Sequence, residues 1–333
     1  MLSAPQACHL LANDADSVGP GSDHPAIVVD LADASPDDAR TLTSVLGAAP
    51  CVTIAHADRP RWPPPDGFDV VVSPSSEVDR PWVTATPGPV IDGVTRNPVA
   101  SLTLVQLLRS TGGQHWRAAL TAESFAYSML QSGPEYRSWL ASRATPDIPS
   151  SEAQPAVTVD RAGEHLMITL DRPRVHNAYN AAMRDALVEV LELARLDSTV
   201  TEVVLNGAGP SFSSGGDLTE FGTVADPATG HVIRTRRNAA AALFAVQDRT
   251  TAMIHGATFG AGIELAACCG RVIASSDVRM RLPEVSMGLI PGAGGTVSIP
   301  HRIGRERTAW LGLSDEEIGA SVAQAWGLVD EIG

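Results

Sequence analysis

Short apolar runs alternate with helical stretches along most of this chain, and that alternation restricts the possible folds more than any other feature. Ala26–Leu31 and Cys51–Ala55 have the length and composition of buried strands, and Pro36 to Leu46 between them has helical character. Further along, apolar residues recur with the period of an amphipathic helix: Met183, Ala186, Leu187, Val190, Leu191 and Ala194. This alternation indicates an α/β architecture.

The 333-residue chain is long enough for more than one folded region. We predict four segments: a loose leader over 1–22, an α/β region over 23–144, a linker over 145–155 and a second α/β region over 156–333. The leader shows no periodicity, and the linker is rich in Pro and Ser.

Charge and composition argue against several classes of partner. The net charge of −14 disfavours binding to nucleic acid or to an anionic membrane, and no apolar run is long enough to span a bilayer. The N-terminus lacks the pattern of a secretory signal. The four cysteines show neither disulfide nor metal spacing, and the adjacent pair at 268 and 269 is expected to pack as small apolar side chains. We therefore expect a reduced, cytoplasmic setting and no metal site.

Two glutamates stand in glycine-framed blocks. One block is His255-Gly-Ala-Thr-Phe-Gly-Ala-Gly-Ile-Glu264, and the other runs from Leu282-Pro-Glu284 to Gly-Gly-Thr296. A carboxylate among apolar residues and backbone amides is unfavourable unless it is paired or used. If two such carboxylates lie close together, their pKa values separate, and one site then holds both an acid and a base. A lone glutamate would more commonly form a salt bridge or a helix cap.

Two glycine turns accompany the glutamates. Ser214-Gly-Gly-Asp217 and Gly260-Ala-Gly262 can each present backbone N–H groups, and the second opens a predicted helix whose dipole would add to them. Convergent N–H donors of this kind stabilise an oxyanion or an enolate. Either turn alone would more commonly pack a helix against a sheet.

These segments, in this order, resemble the crotonase (enoyl-CoA hydratase/isomerase) family over about residues 155–333. The resemblance implies a crotonase-type spiral of ββα units with surrounding helices. It also implies that Glu264 and Glu284 are catalytic and that the N–H groups of Gly216 and Ala261 form the oxyanion hole. The family usually has glycine where this chain has Ala261, but alanine keeps the donor. The positions expected to bind coenzyme A are Arg172, Arg174, Asn177, Ala178, Ser214 and Asp217.

The N-terminal region is relevant to one difference between this chain and the family, which concerns the helices that follow the equivalent of Val329. Family members usually continue past the equivalent of Val329 with helices that build a trimer or hexamer and cover the coenzyme, so a homo-oligomer is expected by resemblance. Here Leu120 to Leu140 is similar to those helices. We hypothesise that 23–144 is a degenerate, catalytically empty crotonase-like copy whose helices cover the intact core. In that copy, Pro63–Gly67 replaces the glycine turn and its glutamate. An unrelated α/β appendage is the alternative.

The implied function is hydration of a 2-enoyl-CoA thioester to the 3-hydroxyacyl-CoA, with coenzyme A as part of the substrate and no separate cofactor. Glu264 and Glu284 would hold a water between them, and which one is the base stays open. One alternative is a Δ3,Δ2-enoyl-CoA isomerase, which needs a single proton-shuttling carboxylate. Another is a CoA-thioester-binding scaffold without turnover. The sequence does not determine the length or type of the acyl chain.

Overall fold

The computed structural model describes residues 1–60, 63–76, 78–143, 154–224 and 226–333. The α-helices are α1 (Ala4–Asn13), α2 (Pro36–Leu46), α3 (Gly88–Arg96), α4 (Pro98–Thr111), α5 (Trp116–Gln131), α6 (Pro134–Ser142), α7 (Ala181–Leu196), α8 (Pro227–Arg236), α9 (Ala239–Phe244), α10 (Ala261–Ala267), α11 (Gly295–Ile303), α12 (Arg305–Ser314) and α13 (Ala320–Trp326). The strands are β1 (Leu2–Ser3), β2 (Ala26–Asp30), β3 (Val52–His56), β4 (Val70–Ser73), β5 (Val83–Thr84), β6 (Val157–Ala162), β7 (His165–Leu170), β8 (Glu202–Gly207), β9 (Thr250–Ile254), β10 (Ala257–Phe259), β11 (Arg271–Ala274), β12 (Arg279–Arg281), β13 (Ile318–Gly319) and β14 (Glu331–Ile332). The predicted α/β class is confirmed.

The N-terminal strands form a parallel sheet in the order β1-β2-β3-β4-β5, so each strand lies beside the next one in the chain. Parallel neighbours need a crossover connection, and α2 supplies the one between β2 and β3. Every residue of β4 is buried, as its continuous apolar run predicts. Beneath α1 and α2 lies a separate apolar core that includes Leu42, Leu46 and Phe68.

The predicted loose leader is wrong, because this segment carries β1 and α1. Ser3 and Gln6 form a reciprocal capping box at the start of α1, and Pro5 stands in its first turn. One face of the helix is buried through mostly small residues: Ala4, Ala7, Cys8 and Leu11. Small side chains give little hydrophobic contrast, so the periodicity is weak in the sequence, and packing against the N-terminal sheet orders the segment.

The second region contains a six-stranded sheet in the order β14-β11-β9-β8-β7-β6 and a smaller sheet in the order β10-β12-β13. Its paired strands are parallel except for β6 with β7 and β12 with β13. Helix α7 buries the face that its period predicts, including Met183, Leu187 and Leu191. In the six-stranded sheet, as in the N-terminal one, the strands follow one another in chain order.

Helices α3 to α6 connect the two regions. One hydrophobic core extends from β3 and β4 through these helices into the second region. Asn97 Nδ2 donates to Val285 O at 2.8 Å, and a Cβ added to Gly288 would lie 2.6 Å from Tyr136 N. These helices therefore pack directly on the segment that carries Glu284, as the hypothesis of a covering segment requires. The origin of 23–144 as a degenerate copy stays a hypothesis.

Two strands and one helix differ from the predictions, and most of the predicted linker lies outside the described residues. Strands β6 and β10 were not predicted: β6 is mostly exposed, and β10 is only three residues long. The sequence from His231 to Val246 has the character of one helix, but the structure divides it between α8 and α9, because Asn238 caps α9. The predicted linker over 145–155 lies outside the described residues except for Gln154 and Pro155.

Two sequence-level expectations concern the chain as a whole. Cys268 and Cys269 are buried and free, which confirms that they pack as small apolar side chains. Within the segments that the structure describes, no helix combines the length and apolar character that crossing a bilayer requires.

Candidate active site

A cavity of about 550 Å³ lies between the two regions. Helices α5 and α6 contribute one part of its lining, and the second region contributes the rest through α8, α10, the segments that follow β7 and β8, and the segments before α11. Both predicted catalytic glutamates and both predicted oxyanion donors line this cavity: Glu264, Glu284, Gly216 and Ala261. The structure therefore brings together four residues that are distant in the sequence.

The two glycine turns are in contact at this cavity. Phe259 N donates to Ser213 O at 2.9 Å, which joins β10 to the loop after β8. Gly260 has φ of +47°, and a Cβ there would lie 3.7 Å from Gly215 Cα. Helix α10 begins at Ala261, whose N–H has no acceptor within the helix. The turns that carry the Gly216 and Ala261 donors are thus adjacent, at a helix N-terminus that favours negative charge.

Glu264 is buried on α10 and held by backbone donors. Its Oε2 accepts the N–H groups of Ala293 at 2.7 Å and Gly295 at 2.8 Å. A Cβ on Gly295 would lie 2.5 Å from Glu264 Cγ, so glycine is needed for the loop to come this close. Burial raises the pKa of Glu264 well above its usual value, and the nearby charges of Glu284 and Glu123 add to the shift.

Glu284 opens the short 3₁₀ turn Glu284–Met287. Its Oε1 lies so close to the other glycine turn that a Cβ on Gly260 would be 2.4 Å away. Its Oε2 is buried and has no hydrogen-bond partner among the described residues. Burial, with the negative charges of Asp315 and Glu123, raises the pKa of Glu284 to about 8. An unsatisfied buried carboxyl oxygen is uncommon, and here it is available to a ligand or to water.

A third carboxylate at this site was not singled out in the sequence. Glu123 lies on α5; its Oε1 accepts Gly294 N at 2.8 Å, and its Oε2 accepts Thr296 N and Thr296 Oγ1 at 2.9 and 2.7 Å. Glu123 and Glu264 therefore hold the same loop before α11. Burial raises the pKa of Glu123 to about 7. Its loop partners are more than 170 positions away, so a single glutamate on a helix gave no local signal of this role.

Two aromatic residues of the N-terminal region, Tyr127 and Tyr136, line the cavity, and Trp139 packs behind the lining residue Phe221; the sequence did not single out these positions. Tyr127 packs on Gly292, where a Cβ would lie 2.4 Å from the ring. Trp139 meets Phe221 edge-on, with 5.8 Å between ring centroids. Phe221 in turn covers Gly216, where a Cβ would lie 2.9 Å from the ring. Burial raises the pKa of Tyr127, so its hydroxyl stays protonated.

Three side chains predicted to bind coenzyme A contact other parts of the protein. Arg172 Nη1 donates to Asp217 Oδ2 at 2.8 Å, and both residues are buried. Asn177 Nδ2 donates to the carbonyls of Ala208 and Ser211, and its Oδ1 accepts Arg172 N. These bonds join the loops after β7 and β8. Contact with coenzyme A at these positions stays a prediction. Because the side chains bind other parts of the protein, we expect backbone atoms to make that contact.

The other three positions predicted to bind coenzyme A lie on the same two loops. Arg174 is exposed on the 3₁₀ turn Pro173–Val175, and Ala178 is half-buried. Ser214 N donates to His176 O at 2.8 Å, which holds the second loop beside the first. The six predicted positions are therefore brought together, and among them Asp217 lines the cavity. In the described part of the chain, no cluster of His, Cys, Asp and Glu is placed to hold a metal ion.

Comparison with known proteins gives a consistent result. The sequence profile described as enoyl-CoA hydratase/isomerase matches residues 162–333. The 2,3-dehydroadipyl-CoA hydratase of Escherichia coli (strain K12) is 37% identical over 174 residues, which cover 52% of this chain and 68% of that protein.

Solved structures show the same similarity. The enoyl-CoA hydratase of Thermoplasma volcanium GSS1 is similar with a TM-score of 0.50 and 34% identity, over 54% of this chain and 72% of that one. Pseudomonas aeruginosa DspI gives a TM-score of 0.51 and 29% identity, over 56% of this chain and 71% of that one. The matched residues 162–333 include both glutamates and both glycine turns of this chain. The chain therefore belongs to the enoyl-CoA hydratase/isomerase family, the crotonase family.

Proposed function

We propose that this protein is an enoyl-CoA hydratase, which adds water to a 2-enoyl-CoA thioester to give the 3-hydroxyacyl-CoA. The observation that carries the proposal is the presence of two carboxyl groups, Glu264 and Glu284, in one cavity beside two glycine turns. Water addition needs one group to take a proton and another to supply one, whereas isomerisation needs only one shuttling carboxylate. Coenzyme A takes part as the thioester, so no separate cofactor is required.

The glycine turns supply the electrostatic part of this mechanism. The thioester oxygen accepts the N–H groups of Gly216 and Ala261, and these donors bind it more strongly as it gains the negative charge of an enolate. The dipole of α10 acts in the same direction. A family relative that is named a hydratase, the Escherichia coli protein, favours hydration over isomerisation.

The surroundings of the two carboxyls support a division of the proton transfers. Burial raises the pKa of Glu264, but two N–H groups donate to its Oε2 and favour its charged form; on that contact, which Glu284 Oε2 lacks, we assign to Glu264 the removal of a proton from water. Glu284 has a pKa raised to about 8 and therefore holds a proton near neutral pH. The water oxygen bonds to the β-carbon, the double-bond electrons move into the enolate, and Glu284 protonates the α-carbon. A proton then passes from Glu264 back to Glu284 before the next turnover.

The test is turnover of a panel of 2-enoyl-CoA thioesters of different chain length, followed by loss of the absorbance of the conjugated enoyl group. Wild type is compared with Glu264→Gln and Glu284→Gln, and we expect kcat to fall at least about 10²-fold in each variant. Glu202→Gln is the control, because Glu202 is an exposed glutamate that pairs with His165 away from the cavity. The control is expected to turn over normally.

The same assay separates the alternatives. Conversion of a 3-enoyl-CoA to the conjugated form, without hydration, would identify an isomerase. Thioester binding without any spectral change would identify a scaffold. Near-normal turnover in both glutamine variants would overturn the proposed mechanism.

A further inference from the structure

The cavity contains an arginine, Arg234, that forms no ion pair with a carboxylate of the described residues. Arg234, on α8, is half-buried and lines the cavity. Its side-chain acceptors are neutral: Nε donates to Ser124 Oγ at 3.2 Å, Nη1 to Gln131 Oε1 at 3.3 Å, and Nη2 to Ser128 Oγ. Nη2 also makes a long bond of 3.5 Å to the carbonyl of Ser124. Tyr127 lies beneath the guanidinium, 4.6 Å from ring centroid to Cζ.

No carboxylate among the described residues lies within 4.0 Å of this guanidinium. Glu123 is near enough to influence Arg234, but its two oxygens accept hydrogen bonds from Gly294 and Thr296 rather than from the guanidinium. Burial lowers the pKa of Arg234 without removing its charge at any ordinary pH. One N–H on Nη1 has no acceptor in the described part of the chain. A partly buried cation in this condition is stabilised by an anion that enters the cavity.

The other arginines that line the cavity differ in this respect. Arg184 pairs with Asp185 at 2.9 Å, and Arg237 lies 3.6 Å from Glu189. Arg234 is therefore distinguished from these two arginines by the neutrality of its partners.

The position of Arg234 relative to the two glutamates indicates which part of a ligand it meets. Tyr127 links Arg234 to the Glu264 side of the cavity. One face of its ring lies under Arg234, and the ring also packs on Gly292. Gly292 is next to Ala293, whose N–H donates to Glu264. Arg234, Glu264 and Glu284 line the same cavity, so an acyl group with its reacting carbons at the two glutamates has room to extend to Arg234.

We propose that Arg234 binds a carboxylate at the far end of the acyl group, so that the substrates are 2-enoyl-CoA thioesters whose chain ends in an acid. This inference rests on the proposed function, because it takes the acyl group to lie at the two glutamates. A guanidinium binds a carboxylate through two parallel N–H donors, and leaving that cation unpaired disfavours chains that end in a methyl group.

Arg234 also joins α5 to α8 through Ser124, Ser128 and Gln131. If that joining were its whole role, its loss would weaken binding of every thioester equally. A phosphate of coenzyme A at Arg234 would give the same equal loss. Comparison of two thioesters that differ only in the terminal group separates both alternatives from recognition of a carboxylate.

The experiment is calorimetric binding of saturated thioesters, which cannot be hydrated. Matched pairs of four, six and eight carbons are used: butyryl- with succinyl-CoA, hexanoyl- with adipyl-CoA, and octanoyl- with suberyl-CoA. For the chain length that fits, wild type is expected to bind the acid-ended thioester about 10- to 100-fold more tightly than its methyl-ended partner, the range for a charged hydrogen-bonded pair. Arg234→Gln is expected to abolish that preference while binding of the methyl-ended thioester changes little.

The control is Arg236→Gln, which removes an exposed charge from the same helix outside the cavity. It is expected to keep the wild-type preference. Arg234→Lys keeps the charge but not the two-pronged geometry, and it is expected to restore part of the preference. Equal binding of both members of every pair by wild type would overturn the inference, as would an equal loss for both members in Arg234→Gln.

Turnover of the corresponding 2-enoyl thioesters distinguishes failure of this inference from failure of the proposed function. Hydration of both kinds of chain, with no preference in binding or in kcat/KM, leaves the hydratase and overturns the role of Arg234. A binding preference that depends on Arg234, with no hydration of any thioester, supports the acid-ended ligand and overturns the hydratase.

Discussion

The N-terminal sheet and the six-stranded sheet follow the same course but differ in the turns at their strand ends. In both, the strands of the sheet are arranged in chain order, and β2-α2-β3 corresponds in order to β7-α7-β8. The segment after β8 contains Gly209 and the pair Gly215-Gly216, whereas the segment after β3 contains Pro60 and Pro63–Pro65. Because proline has no N–H, Pro60 and Pro63–Pro65 supply no backbone donors, whereas the segment after β8 carries Gly216, a proposed oxyanion donor. The comparison teaches that the turns, rather than the sheet, carry the chemistry.

The regions also differ in what their helices cover. Helices α3 to α6 follow the N-terminal sheet in the chain, but Tyr127 of α5 lines the cavity, and Glu123 of α5 holds the loop before α11. The N-terminal region therefore contributes to a site that its own turns do not form. Substitutions in each region can therefore test how the two regions differ.

The largest effect on kcat is expected when a proline, as in the segment after β3, replaces a glycine in the turn after β8. Gly216→Pro removes one N–H donor, and kcat should fall about 10²- to 10³-fold, the range for loss of one oxyanion donor. Gly216→Ala is the matched control, because it keeps the N–H but meets Phe221 in the same way. Steady-state kinetics on the best 2-enoyl-CoA measures both. Equal losses in the two variants would assign the effect to displacement of Phe221 rather than to the donor.

The next effect concerns the contact between the regions. A Cβ on Gly93 of α3 would lie 1.9 Å from the carbonyl oxygen of Leu313 on α12, so Gly93→Ala forces the two backbones apart. We expect the free energy of unfolding to fall by about 3 kcal/mol. Gly47→Ala is the control, since a Cβ there meets nothing within 4 Å, and it should be neutral or stabilising by up to about 1 kcal/mol. Urea unfolding measures both, and an unchanged midpoint in Gly93→Ala would contradict close packing of α3 on α12.

A smaller effect is expected on how the free energy of unfolding depends on pH, because buried carboxyls at the candidate site have raised pKa values. The pKa values of Glu123 and Glu284 are raised to about 7 and about 8 in the folded protein, from 4.5. The folded state therefore holds these protons more tightly than the unfolded chain does. The resulting stability is fully present below about pH 4.5 and is lost as pH rises through about 7 and 8.

The measurement is urea unfolding between about pH 6 and about pH 8.5, where these carboxyls should make stability fall with rising pH. Glu284→Gln should flatten the upper part of this slope, and the exposed-site control Glu202→Gln should not. A slope that is the same in wild type and Glu284→Gln would place the pH dependence elsewhere in the protein.

The smallest effect is expected at the start of the N-terminal region. Ser3→Ala removes the cap of α1 and should lower the free energy of unfolding by about 1 kcal/mol. Thr43→Ala, at an exposed position within α2, is the comparison and should change it by less. Chemical denaturation measures the difference. No effect of Ser3→Ala on the unfolding transition would support a loose leader after all.

Much of the fold could be predicted, because local patterns specify it. The apolar period of α7 and the continuous runs of β3 and β4 were visible, since a buried face imposes its own spacing on the sequence. Helix α1 was missed because its buried face is mostly Ala and Cys. The exposed strand β6 was missed because pairing with β7, rather than burial, holds it in place.

The sequence by itself determined that Glu264, Glu284 and the two glycine turns belong to one site, because that combination occurs in blocks specific to one family. Only the tertiary structure decided what surrounds them. Glu123 bonds to Gly294 across 171 positions, and Arg234 bonds to Ser128 across 106. Such partners depend on how α5 packs against α8 and α11, and the burial that raises the carboxyl pKa values exists only after that packing. A local sequence pattern cannot predict a contact between two residues that lie in distant parts of the chain.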